Sequence, residues 1–396
     1  MHSFEFYSVA RIVFGRGQFA GAPALAGALG SLALIVYNGD EQGAGGALDR
    51  LVDGLMAAGQ RRPVLRRQKG EPDVDDVDRA VSVGRQAGCD MVIGLGGGSA
   101  IDTAKAAAGL LANGGSALDY MEVVGRGQKI SRRAMPWMAI PTTAGTGAEA
   151  TRNAVVGYPP RRFKASIRSE LLLPRVALVD PELGVGVPPQ VTASSGMDAL
   201  CQCIEAYTSR AAQPITDALA LTGIACAARS LRRAWADGAD LNAREDMALA
   251  ALLSGIALTN VGLGAVHGFA APMGANFPIP HGTICAALLP HVMAANVRAL
   301  RAAGGHPTLS KYAQVGRTLS PEPQLDDERA IDAGIARCAS LSAEMGIPPL
   351  SHFGVAESDI PAMVELAQRS SSMKFNPVAL DDAALSGVLA SAIAGA

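Results

Sequence analysis

Two glycine-bearing loops carry much of the chemistry this chain can perform. The first, Gly94-Leu95-Gly96-Gly97-Gly98-Ser99, follows the apolar run Met91-Val92-Ile93 and opens a helical sequence that reaches Leu111. An apolar strand that ends in glycines and starts a helix suits an anion. Glycine lets the backbone come close, and the helix start offers unpaired N–H groups at the positive end of its dipole. Asp102 and Lys105 lie in the first turns of that helix. The second loop follows a strand ending at Ile140 and reads Pro141-Thr142-Thr143-Ala144-Gly145-Thr146-Gly147, whose hydroxyls and glycines suit phosphate or ribose. Taken alone, the first loop reads as a tight turn. It is not GxGxxG, because there is no glycine at the required last position. The pair of loops is far more specific.

A second group of chemically capable residues lies further on. From Met247 to Val297 there is no Asp, Glu, Lys or Arg, yet His267 and His281 fall inside that stretch, each followed by a glycine. Asp198 and Gln202 are four apart in Gly196–Tyr207, which reads as a helix, so they share a face. Singly, Asp198 reads as a helix carboxylate and each histidine as a satisfied core residue. Two histidines in a charge-free region, both beside glycines, are harder to dismiss, and imidazole with carboxylate suits a divalent transition metal.

GGGSAIDTAK followed by PTTAGTGAE resembles the iron-containing (group III) alcohol dehydrogenase family, which includes maleylacetate reductase-like members and shares its fold with dehydroquinate synthase. The resemblance implies a pyrophosphate loop at Gly97, Gly98 and Ser99, with Asp102 in the helix behind it. It implies a second nucleotide loop at Thr142, Thr143 and Thr151, a nucleotide-reaching Lys164, and Leu183 of an Asp-Pro-Glu-Leu turn beside the adenosine. The position that carries an aspartate in many NAD-preferring members is Asn38 here, with Asp40 two residues on, so NAD and NADP are both admitted. The family's metal ligands map to Asp198, His267 and His281, and its further histidine to Gln202, whose amide oxygen is a weaker neutral donor. A histidine that the family carries near the nicotinamide is replaced by Ala271. The implied metal is iron or zinc, and His267 and Asp198 are the implied catalytic residues.

The elements that must position these groups follow an alternating pattern. Strands are expected at Leu32–Tyr37, Val64–Arg67, 91–95, 136–140 and 176–179, and helices at Ala20–Leu29, Ala44–Ala58 and Val74–Ala87. Strand and helix in alternation argue a doubly wound parallel sheet. From Val191 onward, apolar segments are long and helical, including Ala212–Ala234, Ala243–Val261 and Cys285–Ala303. The expected architecture is an N-terminal α/β dinucleotide-binding domain over 1–185. An all-helical metal and substrate domain over 186–396 completes a dehydroquinate synthase-like whole, with the ligand cleft between the two.

A chain of 396 residues supports a large core. Its net charge of −2, without a basic block, argues against nucleic acid. The six cysteines show no CxxC pair and fit reduced, buried thiols in a cytoplasm. The charge-free stretch is interrupted by Gly255, Asn260, Pro272, Pro278 and Pro280, so it reads as the centre of a helical domain rather than a membrane span. The expected partners are a small alcohol or carbonyl substrate and a second copy of the chain. The leading reading is metal-assisted hydride transfer between nicotinamide and that substrate. A metal-independent, maleylacetate reductase-like enzyme is the close rival, favoured by Gln202. A dehydroquinate synthase-type lyase and a non-enzymatic binding protein are weaker ones.

Overall fold

The computed structural model describes residues 3–38, 46–68, 70–322 and 324–395. Asp40 and the start of the helix expected from Ala44 lie outside them. The chain divides into two compact units. One is Phe6–Val187 with Gly238–Ala248, and the other is built mainly from Pro188–Asp237 and Leu249–Ala396.

The first unit is organised by a six-stranded parallel sheet. Its elements in chain order are β1 (Ile12–Phe14), α1 (Ala22–Gly27), β2 (Ala33–Tyr37), α2 (Ala47–Ala57), β3 (Val64–Arg67), α3 (Val74–Ala87), β4 (Met91–Gly96), α4 (Gly98–Asn113), α5 (Ala117–Tyr120), β5 (Trp137–Pro141), β6 (Asn153–Tyr158), β7 (Phe163–Arg168) and β8 (Val176–Val179). The sheet order is β1-β8-β5-β4-β2-β3, and every neighbouring pair is parallel. Alternation along β2 explains why both faces are covered. Leu34 and Val36 join a core with α3 and α4 through Val77, Val81, Ile101 and Leu110. Ala33 and Ile35 join a second core with α1 and α2 through Ala22, Ala26, Leu51 and Leu55. A strand apolar on both faces needs helices on both sides, which is the doubly wound solution.

Two features of this unit depart from the sequence reading. β6 and β7 form an antiparallel hairpin outside the main sheet, burying Ala154, Val156, Ala165 and Ile167 on the α3–α4 side. Gly238–Ala248, placed by sequence in the helical half, belongs to the sheet unit. Polar bonds hold it there: the Arg244 guanidinium donates to the Val187 carbonyl, and Arg16 donates to Asn242 and Glu245 at 2.6 Å each.

The second unit is helical: α6 (Pro189–Thr208), α7 (Pro214–Ala236), the later part of α8 (Leu241–Val261), α9 (Ala265–Asn276), α10 (His281–Ala302), α11 (Thr308–Leu319), α12 (Asp327–Glu344), α13 (Ile360–Gln368) and α14 (Asp382–Ala394). The charge-free stretch becomes most of α8, all of α9 and α10 as far as Val297. α8 and α9 are bent by 100° at their break, and the most apolar window of α10 is 72% buried within the protein. The apolar composition thus serves helix packing.

Candidate active site

Four side chains from three helices of the second unit converge. α6 contributes Asp198, α9 contributes His267, and α10 contributes His281 and Cys285, with donor atoms all within 4.8 Å of one another. Asp198 Oδ1 lies 3.2 Å from His267 Nε2 and 3.7 Å from His281 Nε2. Cys285 Sγ lies 3.7 Å from each of the same two nitrogens. His281 and Cys285 are four apart, so α10 presents both on one face. Asp198 and Cys285 are sealed from solvent, whereas the His281 side chain keeps 33% of its exposure, so the cluster opens at His281.

Local structure explains the convergence. Glu205, seven residues after Asp198 and therefore on the same face of α6, accepts from His267 Nδ1 at 2.7 Å and from the Val266 backbone N–H at 2.8 Å. The second bond satisfies an orphan donor of α9, whose N-cap is Gly264 and which has no side-chain cap of its own. The first fixes the imidazole with Nδ1–H toward Glu205 and Nε2 toward the cluster. A carboxylate holding the far nitrogen of a histidine is the usual support of a metal-ligating imidazole. The first turn of α10 runs so close to α6 that a Cβ on Gly282 would lie 2.2 Å from the Ser194 carbonyl oxygen.

That contact yields a prediction. Gly282→Ala must push α10 away from backbone, which does not yield as a flexible side chain would. The expected cost is about 1–3 kcal/mol, seen as a lower thermal midpoint. Because the same turn carries His281, turnover at 25 °C should fall as well, even where the variant is still folded. A variant with unchanged midpoint and kcat would show that the contact does not position the histidine.

The charges in the cluster are mutually dependent. Burial pulls His267 down, but the Cys285 sulfur and its bonds to Asp198 and Glu205 prevail and hold it well above the usual imidazole value. Burial likewise opposes charge on His281, yet Cys285 and Asp198 bring it up to about 9. Burial works against a Cys285 thiolate too, but Cys201, donating to it, and the two imidazoles draw it well below an ordinary thiol. Asp198 is raised, by burial first and then by Cys285. A site that holds negative donors among buried imidazoles is suited to a cation. Two imidazoles, a carboxylate and a thiol fit a divalent transition metal.

Gln202 is arranged differently from a fourth donor. Its amide nitrogen donates to Asp198 Oδ2 at 3.2 Å, and its oxygen accepts from the Ser254 hydroxyl at 2.8 Å. It therefore orients Asp198, and its oxygen faces Ser254, whose hydroxyl also reaches the Ala251 carbonyl.

The sheet unit contains the second candidate region. β2 is flanked by β3 on one side and β4 on the other, so the chain reverses its direction across the sheet between β2 and β4. Ligands of open α/β sheets bind beyond the carboxyl ends of the strands at such a point. Asn38 follows β2 there. Its oxygen accepts from the Gly97 N–H at 2.8 Å, and its amide donates to the Ser99 hydroxyl at 2.6 Å. Gly96 adopts φ +144, and a Cβ there would lie 2.0 Å from the Asn38 oxygen, so only glycine permits this bond. α4 then begins with Gly97 as N-cap and no side-chain cap.

The comparisons with known proteins bear on both regions. Residues 10–181 match the family model for iron-containing alcohol dehydrogenase, and residues 192–393 the C-terminal model of the same family. The chain belongs to the iron-containing alcohol dehydrogenase family. Long-chain-alcohol dehydrogenase 1 of Geobacillus thermodenitrificans is 35% identical over 98% of each chain. A 1,3-propanediol oxidoreductase structure superposes with a TM-score of 0.90 at 32% identity, covering 99% of this chain and 100% of that one. A sulfoacetaldehyde reductase from Bifidobacterium kashiwanohense, solved in complex with NAD+, superposes with a TM-score of 0.86 at 28% identity over 99% of each chain. The fold expected from sequence, a parallel α/β sheet followed by a helical half, is borne out.

Within this family frame the expected site residues separate into groups. Asp198, His267 and His281 come together. Asn38, Gly97 and Ser99 come together, with Thr143 and Thr146 close by: a Cβ on Gly97 would meet Thr143 Oγ1 at 3.3 Å, and one on Gly98 would meet Thr146 Oγ1 at 2.8 Å. The Thr142 N–H donates to the Gly96 carbonyl. Thr151 is not part of an open loop surface: it is buried and takes a 2.6 Å bond from the buried Lys105 ammonium. Asp102 accepts from the Val155 N–H and pairs with Lys105, which fastens α4 to β6. Lys164 pairs with Glu71. Leu183 is buried in the α1–α2 core. Glu205, Ser254 and Cys285 were not singled out by sequence. The spacings Asp198–Glu205 and His281–Cys285 were the available signals, since each pair shares a helix face.

Proposed function

We propose that this oxidoreductase transfers a hydride between a nicotinamide cofactor and a small alcohol or its carbonyl partner, assisted by a divalent metal held by Asp198, His267 and His281. The observation that carries the reading is the convergence of these three side chains with His267 locked by Glu205. When bound, the cation supplies Lewis-acid polarisation of the substrate oxygen and the nicotinamide supplies the redox couple. In the oxidative direction a hydride leaves the carbinol carbon for the nicotinamide and the hydroxyl proton passes to solvent. Asp198 contributes a carboxylate beside the two imidazoles, and Gln202 holds its other oxygen. Asn38 ties the glycine loop to the end of β2, so that the first turn of α4 is held ready for a pyrophosphate.

The metal-independent reductase reading keeps one point in its favour, Gln202 in place of a histidine. Turnover with a panel of primary alcohols and aldehydes, before and after chelation and after return of Zn²⁺, Fe²⁺ or Mn²⁺, separates the two. Chelator-sensitive activity restored by metal supports the proposal, and chelator-insensitive activity replaces it with the rival.

Asn38 also supports a prediction on cofactor choice. Its neutral amide brings no charge against a 2′-phosphate, so NADPH should be accepted alongside NADH. In Asn38→Asp one oxygen can still accept from Gly97 N–H and the other can take the Ser99 proton, so the loop persists while a negative charge is added. The NADPH/NADH ratio of kcat/KM should fall about tenfold, equivalent to about 1.4 kcal/mol. An unchanged ratio would remove Asn38 from the cofactor region.

A further inference from the structure

We infer that Cys285, and not Gln202, supplies the fourth protein donor of the metal centre, and that the resulting carboxylate, two-imidazole and thiolate set favours zinc over ferrous iron. The inference rests on the metal-assisted reading above and adds to it the identity of a ligand and the softness of the site.

Geometry is the first support. Zinc bonds of about 2.3 Å to sulfur and about 2.0–2.1 Å to nitrogen and oxygen, at tetrahedral angles, place S and N about 3.6 Å apart and O and N about 3.3 Å apart. In this chain Cys285 Sγ stands 3.7 Å from His267 Nε2 and 3.7 Å from His281 Nε2. Asp198 Oδ1 stands 3.2 Å and 3.7 Å from the same nitrogens. Three of these four edges thus lie within about 0.1 Å of the lengths a tetrahedral ion requires, and the fourth, Asp198 to His281, is about 0.4 Å longer. Ordinary packing of a buried thiol imposes no such equality of distance to two imidazoles.

The second support is the state of Gln202. A glutamine can ligate only through its amide oxygen, and that oxygen lies 2.8 Å from the Ser254 hydroxyl, whose one proton it shares with the Ala251 carbonyl, while the NH2 group faces the Asp198 carboxylate. Turning the amide over would set its oxygen against the carboxylate oxygen. Cys285, fully buried one helical turn from His281, lies 3.7 Å from the Nε2 atoms of both histidines. Thiolate is the softest donor of the standard side chains and suits zinc, whereas carboxylate-rich and oxygen-rich sets suit harder ions. Cys201 is the other thiol near the cluster, but it groups with Glu205 and His267 and not with Asp198 and His281.

The test uses the full-length protein, stripped with dipicolinate and reloaded with one equivalent of Zn²⁺ or Co²⁺. X-ray absorption at the zinc edge should show one sulfur at about 2.3 Å, and the cobalt form should show a sulfur-to-metal charge-transfer band. Both signals should vanish in Cys285→Ser and persist in Cys201→Ser and Gln202→Ala. The zinc Kd of Cys285→Ser should rise about tenfold or more, the scale seen when even a supporting group of a metal site is removed. Nitrogen and oxygen sites already favour Zn²⁺ over Fe²⁺. In anaerobic competition between the two ions at equal concentration, the native protein should therefore load zinc with a higher Zn/Fe ratio than Cys285→Ser, and an equal ratio counts against the thiolate as its cause. A wild-type site that binds metal with nitrogen and oxygen neighbours only would overturn the Cys285 assignment and leave the metal-assisted function standing. A sulfur signal that follows Cys201 overturns it too, and predominant iron loading in the competition overturns the zinc preference. Failure to retain any of these ions, with chelator-insensitive turnover, would overturn the function proposal itself. The wild-type spectra decide the first of these outcomes even if Cys285→Ser does not fold.

Discussion

In Asp198→Asn, kcat falls by about 100-fold or more, equivalent to about 2.7 kcal/mol of transition-state stabilisation. The substitution keeps the shape of the side chain and removes its charge. In the native chain one carboxylate oxygen faces the Nε2 atoms of both histidines, and the other accepts from Gln202. An asparagine keeps an acceptor oxygen for the histidines, and its NH2 can donate to the Gln202 oxygen once that amide turns over, so α6 is expected to pack as before. Without the carboxylate, two imidazoles and a thiol must hold a divalent ion alone, and both retention and polarising geometry suffer. The check is steady-state kcat on the best substrate, read beside metal content of the same preparation. Near-normal kcat, unaltered by added Zn²⁺, Fe²⁺ or Mn²⁺, would replace the metal-assisted mechanism with the metal-free reductase. There the variant is mild because an amide still hydrogen-bonds His267.

Gly98→Val is expected to abolish nucleotide binding while the sheet stays folded, with the Kd for NADH or NADPH rising about 100-fold or more, a loss of about 2.7 kcal/mol. Gly98 is the first residue of α4, just beyond the end of β4, so a side chain there does not enter the core of the sheet. The first N–H groups of any helix lack intrahelical acceptors and point toward an incoming anion. A valine would set its Cβ 2.8 Å from Thr146 Oγ1 and project its methyls over those amides. Thr146 can turn aside, being a side-chain hydroxyl, but a pyrophosphate must approach the backbone and cannot. Fluorescence titration with NADH and NADPH measures the effect, and far-ultraviolet circular dichroism reports whether the fold is kept. A folded variant that binds either nucleotide normally would move the phosphate site away from this loop.

Much of the fold was legible in the residues themselves. Apolar runs such as Leu32–Tyr37 and Met91–Leu95 have no polar face, which only a strand covered on both sides can satisfy, and the helices between them are punctuated by Gly59 and Gly88. The β6–β7 hairpin escaped because Arg161, Arg162, Lys164 and Arg168 break its apolar pattern, and only alternate residues such as Val156 and Ile167 turn inward. At the site, the sequence motifs marked Asp198, His267 and His281, and helical spacing rightly set Gln202 on the face of Asp198. Where the Gln202 amide points depends on Ser254, 52 residues away on another helix. Cys285 reaches the cluster because Gly282 lets α10 lie against the Ser194 backbone, and Glu205 reaches it because it holds both the ring and the helix start of His267. Local periodicity determines which residues share a helix face. Which faces meet, and therefore which four atoms surround one point, is decided by the packing of α6, α9 and α10 against one another, because contacts between residues tens of positions apart leave no mark on the spacing within any one helix.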